Sequence, residues 1–205
     1  MPFHWPRARP PHQLLTGANC GGKTTLLREV CLAVVMAQIG CYTAAHSCRL
    51  SLADRVMMRC GAADRIMAGQ STFMVELRET SNMLRYATRH SFVALDELGR
   101  GTATYDGYAI AYAVLRHLLT TTQCRTIFST HHLGLCTDFA GHPEVRLGHM
   151  LVTADEKTSE VTFLYKLGMG VVRLRMRQAS PALAPPVLML IMNHPPETPP
   201  VPRPC

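Results

Sequence analysis

The chain has 205 residues, 47% of them apolar and 17% charged. At about 150 residues per domain this is one sizeable domain with room for an appendage, which excludes wholesale disorder, a fibrous repeat and a multidomain machine. The formal charge is +7, but Arg7, Arg9, Arg173, Arg175, Arg177 and Arg203 stand at the two ends against Glu197 alone, and the 15 basic and 13 acidic residues between them balance to +2. Charge therefore makes no independent case for a nucleic-acid surface.

Four of the 14 prolines fall in residues 1–11 and nine in residues 181–204, with Pro143 alone between. Proline lacks the backbone donor that helices and sheets use, so the proline-free run 12–142 is where packed elements belong. The expected division is a Pro/Arg-rich segment 1–11, a folded domain 12–167, and a tail 168–205 in which proline, arginine and a short apolar patch lack periodicity and no structure is expected. The eight cysteines contain no CxxC pair, several sit in apolar runs, and no secretory leader opens the chain. These features predict reduced thiols in an intracellular protein. The longest apolar stretch, residues 30–45, is interrupted by Gln38, Tyr42 and Thr43. It falls short of the roughly 20 residues that span a bilayer, so no membrane partner is expected.

In chain order, residues 13–16 read as a short strand that ends in Gly17. After Lys23 the apolar residues Leu26, Leu27, Val30, Val34 and Ala37 recur at helical spacing until Gly40. Ser71 or Thr72 can cap a second helix that carries Phe73, Leu77, Leu84 and Ala87 and runs to about His90. Residues 91–96 are apolar at consecutive positions, as in a strand buried on both faces of a parallel sheet. A glycine-rich polar loop, a helix over 108–120, a buried strand over 125–129, and a hairpin pairing 145–152 with 161–167 across a turn near 155–157 complete the pattern. Strands alternating with helices predict an α/β fold. Met57, Met58, Met67, Met74 and Met83 read as core fillers.

Gly17-Ala-Asn-Cys-Gly-Gly-Lys-Thr24 satisfies G-x-x-x-x-G-K-[ST] between the predicted strand and helix, the context a phosphate-binding loop requires. Gly17, Gly21 and Gly22 let backbone N–H groups approach phosphate oxygens, Lys23 supplies charge, Thr24 offers a hydroxyl to Mg²⁺, and the helix dipole favours an anion. The bland reading, a glycine turn that only caps a helix, does not account for the matching context. Asp96 closes the apolar strand within reach of a magnesium shell, and Glu97 is placed to orient or deprotonate a water. His131, at the end of the next predicted strand, is positioned for a terminal phosphate or its attacking water. A zinc site on His131 and His132 is the competing reading, with no cysteine or acid at ligand spacing.

Four segments together resemble the ATPase domain of the MutS mismatch-repair family. They are Gly17-Ala-Asn-Cys-Gly-Gly-Lys-Thr-Thr-Leu-Leu-Arg28, Ser71-Thr-Phe-Met-Val-Glu-Leu77, Leu95-Asp-Glu-Leu-Gly-Arg-Gly-Thr-Ala-Thr-Tyr-Asp-Gly107 and Ser129-Thr-His-His132. The wording around residues 64–73 and 103–106 is most similar to the eukaryotic homologue that contacts the mismatch in the heterodimer. The resemblance implies a P-loop NTPase of the ABC-ATPase type, with a mostly parallel sheet flanked by helices and a C-terminal β-hairpin. It implies ATP and Mg²⁺ as ligands held by Gly17, Asn19, Gly21, Gly22, Lys23, Thr24 and Thr25, with Thr24 and Asp96 on the metal and Glu97 and His131 serving hydrolysis. It further implies a second MutS-family subunit whose site the signature segment 71–76 completes, with Ser71 meeting the nucleotide in trans, a loop 99–106 at the dimer interface, mismatched double-stranded DNA as partner of the full-length protein, and a nuclear location. Ala18 stands where the family usually has proline and Cys20 where it has methionine, and neither change removes a phosphate ligand. The resemblance stops within Leu164-Tyr-Lys-Leu167, as in a truncated gene model. Other readings are the ATPase subunit of a transporter, whose Ser-Gly-Gly run this chain lacks, and a non-catalytic remnant.

Overall fold

A computed structural model describes residues 2–4, 12–61, 72–154 and 161–170. Its strands are β1 (Pro2–His4), β2 (His12–Thr16), β3 (Ser47–Arg49), β4 (Val56–Arg59), β5 (Phe92–Asp96), β6 (Arg125–Ser129), β7 (Val145–Ala154) and β8 (Val161–Met169). The helices are α1 (Lys23–Gln38), α2 (Thr72–Tyr86), α3 (Thr104–His117), which runs into a wider turn over Leu118–Thr122, and α4 (Leu133–Phe139). Two compact units divide the chain. The first comprises Met1–Val152 with Phe163–Val172, and the second Thr153–Thr162 with Arg173–Cys205, of which only the tips of β7 and β8 are described.

The main sheet has six strands in the order β4-β5-β6-β2-β7-β8. Neighbours from β4 through β7 pair in parallel, and β7 with β8 forms the C-terminal antiparallel hairpin. The expected turn near 155–157 lies outside the described residues. β1 and β3 form a separate two-stranded parallel sheet. The α/β architecture is thus the one the alternation predicts.

Alternating residues of each buried strand serve opposite faces of the sheet. Leu14, Val93, Leu95 and Phe128 pack with Met83 of α2, Val114 and Leu115 of α3 and Leu135 and Phe139 of α4. On the other face Leu15, Phe92, Ala94 and Ile127 meet Leu27, Val30, Cys31 and Val34 of α1. A strand covered on both sides favours apolar residues at consecutive positions, which is why Phe92, Val93, Ala94 and Leu95 of β5 read as a hydrophobic run before the buried Asp96. Among the described residues no helix is long and apolar enough to cross a membrane.

Several elements differ from expectation. α2 stops at Tyr86 because the following turn has its own polar lock: Thr88 and Ser91 hydroxyls donate to Asp54 at 2.6 and 2.8 Å, and Ser91 N–H bonds the Thr88 carbonyl at 3.0 Å. α3 begins one turn early, at Thr104. β1, β3, β4 and α4 are additional elements, and Met57 and Met58, expected only as core fillers, form part of β4 while packing against the two core clusters. Met83 is buried, but Met74 is 52% exposed and is not a core residue; it lies on the solvent side of α2, whose buried positions are Glu76, Thr80 and Met83. Met67 lies outside the described residues.

His12 opens β2 with 1% exposure, and neither ring nitrogen makes a hydrogen bond among the described residues. Burial drives its pKa down to about 4, with Glu144 opposing and His142 assisting. The folded state therefore binds the proton less readily than the unfolded chain, and stability is complete above the ordinary histidine value and lost as pH falls toward 4. His12→Leu is expected to remove about 2 kcal/mol of the stability lost between pH 7 and pH 5, read from urea unfolding at the two pH values. An unchanged pH dependence in the variant counts against this origin.

Candidate functional site

The site lies where the carboxyl ends of β2, β5 and β6 meet, the edge at which open α/β sheets place ligands. β2 leads into the glycine loop, and Gly22 caps α1 with φ 92°, a left-handed conformation that favours glycine. A side chain there would also strike the ring of Tyr165, since a Cβ would lie 3.0 Å from it. The Gly21 amide donates to the Ala18 carbonyl at 3.1 Å, closing the turn so that the loop wraps around the head of Lys23.

Lys23 is the first residue of α1 and its side chain is only 4% exposed. Its Nζ donates to the carbonyls of Gly17 at 2.8 Å and Ala18 at 3.2 Å and pairs with Glu97 Oε1 at 3.1 Å. One residue on, Thr24 Oγ1 donates to Asp96 Oδ2 at 2.6 Å, and Ser129 from β6 donates to the other carboxylate oxygen. Register explains the meeting, for Asp96 and Ser129 are direct partners in the β5–β6 ladder. Hydroxyl and carboxylate oxygens converging in this way suit a hard cation such as Mg²⁺, so the donor set fits the metal expected from the sequence. Among the described residues no group of three histidine, cysteine or acidic side chains could hold a metal, the zinc alternative included.

Glu97 adopts φ 48°, an uncommon conformation for a residue with a side chain, just beyond the strand end. Its amide bonds the Ser129 carbonyl at 3.1 Å, and its Oε2 accepts from Arg100 at 2.9 Å. Burial pushes the carboxyl's pKa up, but the hydrogen bond and charge of Lys23, with Arg100 and His131, outweigh it and hold the pKa below the ordinary range. Glu97 is thus an ionised carboxylate. Burial holds the His131 pKa below the usual histidine value, with Glu97 opposing and Arg100 and Lys23 assisting, so its imidazole is neutral at pH 7. The His131 and His132 rings are 4.0 Å apart, and buried His132, driven by burial to about 4, stands edge-on to Tyr108.

The structure therefore brings together Gly17, Gly21, Gly22, Lys23, Thr24, Asp96, Glu97 and His131. Asn19 and Thr25 are exposed at the loop tip and on the first turn of α1, and Ser71 lies outside the described residues. Sequence reasoning did not assign roles to Ser129, Arg59 or Tyr165, and Glu76 was expected only as the end of the segment 71–76 that completes a partner subunit's site. Ser129 was findable, because it stands two residues before His131 at the end of an apolar strand.

A strand, phosphate loop and helix with an Asp-Glu pair at the end of a nearby parallel strand define a P-loop ATPase-like domain. The chain belongs to the MutS family, for the model of MutS domain V matches residues 13–179. It is 55% identical over 158 residues to the DNA mismatch repair protein Msh6 of Gallus gallus, covering 75% of this chain and 12% of that protein. Similarity to MSH6 of Saccharomyces cerevisiae is 50% over 161 residues, covering 78% and 13%, and to MutS of Sorangium cellulosum 49% over 157 residues, covering 77% and 17%. The chain thus spans under a fifth of the length of these relatives.

Beyond Glu97 the loop must turn sharply to start α3. Gly99 has φ 87°, and a Cβ there would lie 2.5 Å from the Gly107 carbonyl oxygen, so two backbones touch where any side chain would intrude. Gly99→Ala is expected to cost 2 kcal/mol or more in urea unfolding, by roughly the penalty of strain plus overpacking, while Gly141→Ala, with open space around it, changes little. Equal effects at the two positions contradict this packing.

Proposed function

We propose that this domain binds ATP with Mg²⁺ and hydrolyses the β–γ phosphoanhydride as the nucleotide switch of a DNA mismatch repair protein. The observation that carries this reading is the buried Lys23 ammonium, held by two loop carbonyls and paired with Glu97. A triphosphate supplies the anion that takes over Lys23, and Glu97 is then free to align the attacking water. Thr24 and Asp96 would hold Mg²⁺, which neutralises charge developing on the phosphate oxygens. The glycine-loop amides bind the phosphates, and the neutral imidazole of His131 lies where it can donate to the terminal phosphate or its water. Tyr165, 66% exposed beside the loop, offers an aromatic face for the base.

Half of each composite site comes from another chain in this proposal. Full turnover is therefore expected only with a second MutS-family subunit, to which Ser71 and residues 99–106 contribute. The longer protein would bind mismatched double-stranded DNA in the nucleus as part of a heterodimer, and the similarity to Msh6 proteins supports that placement. Residues 12–167 are proposed as the ATPase domain, flanked by segments 1–11 and 168–205.

Lys23→Ala is expected to lower affinity for Mg·ATP by at least about a hundredfold, since it removes the central phosphate contact. Glu97→Gln is expected to retain binding and lose about a hundredfold or more in kcat. Equilibrium nucleotide titration and steady-state phosphate release, both with the second subunit present, measure these effects. Equal rates for wild type and Glu97→Gln refute the assignment of Glu97.

A further inference from the structure

Arg59 at the end of β4 and Glu76 in the second turn of α2 form an ion pair with side chains 4% and 5% exposed. Arg59 Nη1 lies 2.8 Å from Glu76 Oε1 and also donates to the Asp96 carbonyl at 3.0 Å. The same Glu76 Oε1 accepts the Gly99 N–H at 2.9 Å. Arg59 Nε makes no hydrogen bond among the described residues, and Glu79 Oε2 stands 3.9 Å from it.

The two backbone groups so held, the Asp96 carbonyl and the Gly99 amide, lie immediately before and two residues after Glu97. Between them is the left-handed backbone of Glu97. Strain of that kind persists only where its surroundings over-determine it. Desolvating two charges is costly, and apolar side chains of similar volume often serve stability as well or better. A buried pair that bonds the backbone on both flanks of one strained residue has a geometric task.

We infer that Arg59 and Glu76 are a positioning pair: together they clamp the turn on both sides of Glu97 and aim its carboxylate, without touching the substrate themselves. This rests on the reading of Glu97 as the group that aligns water. α2 is a rigid lever on that turn through Glu76, so displacement of the helix moves Gly99 and with it the carboxylate.

The test uses the whole chain paired with a second MutS-family subunit and Mg·ATP as the probe. The double variant Arg59→Met/Glu76→Met removes both charges, so neither is left buried alone, and deletes the donor to Asp96 and the acceptor for Gly99. It is expected to unfold within a few degrees of wild type, to keep KM within about threefold, and to lose roughly ten- to a hundredfold in kcat. Glu76→Gln retains an acceptor oxygen for Gly99 but leaves the Arg59 charge without its partner, so it is expected to unfold more easily than wild type while kcat, measured well below its unfolding midpoint, stays within about threefold of wild type. Wild-type kcat in the double variant overturns the inference, as does a Glu76→Gln variant as slow as the double one. A double variant that fails to fold, or whose loss lies in KM, marks the pair as structural support and overturns it too. A wild-type complex that binds Mg·ATP without turnover overturns the hydrolytic reading of Glu97 itself, and the positioning role falls with it.

Discussion

A lysine ammonium taken out of water must find anions or carbonyls, and the first residue of α1 is such a lysine. The β2–α1 turn curls its carbonyls of Gly17 and Ala18 inward to meet it, and the third partner, Glu97, comes from the end of β5, on the other side of β6. That one charge ties the first crossover to the end of β5. Removing one partner of such a buried ion pair leaves the other with a large desolvation penalty, which is why the proposed function has an anion take over Lys23.

The arrangement around the pair is layered. Ser129 and Thr24 hold the Asp96 carboxylate from the two sides, Ser129 also accepts the Glu97 amide, and Arg100 shares the Glu97 carboxylate with Lys23. Each acid thus has its orientation fixed by groups from different elements. Asp96 faces hydroxyls and Glu97 faces cations, though the two residues are adjacent in the chain.

What the sequence made legible was the chemistry carried by short local patterns. The glycine loop stands next to its helix, and the consecutive apolar residues of β5 announce its burial on both faces. The elements that escaped have physical reasons. β4 is four residues long at a sheet edge, with methionines in place of β-branched residues, and α4 has only seven residues, too few to show a helical period. The start of α3 was hidden because Gly107 looks like loop punctuation, whereas its missing side chain is what lets Gly99 pass. Arg59 and Glu76 carry no local mark of their partnership, for their meeting depends on how β4 and α2 pack. The roles assigned to Asn19, Thr25 and Ser71 came from resemblance to the family.

The position of β2 bears on how the polypeptide reaches this state. It lies between β6 and β7, so that His12 pairs with Thr126 on one side and Val145 on the other. During synthesis the strand that introduces the glycine loop has no lateral neighbour until more than half of the domain has left the ribosome. Such distant pairing gives a high contact order and slow closure, during which a strand with free edges invites association with other nascent chains.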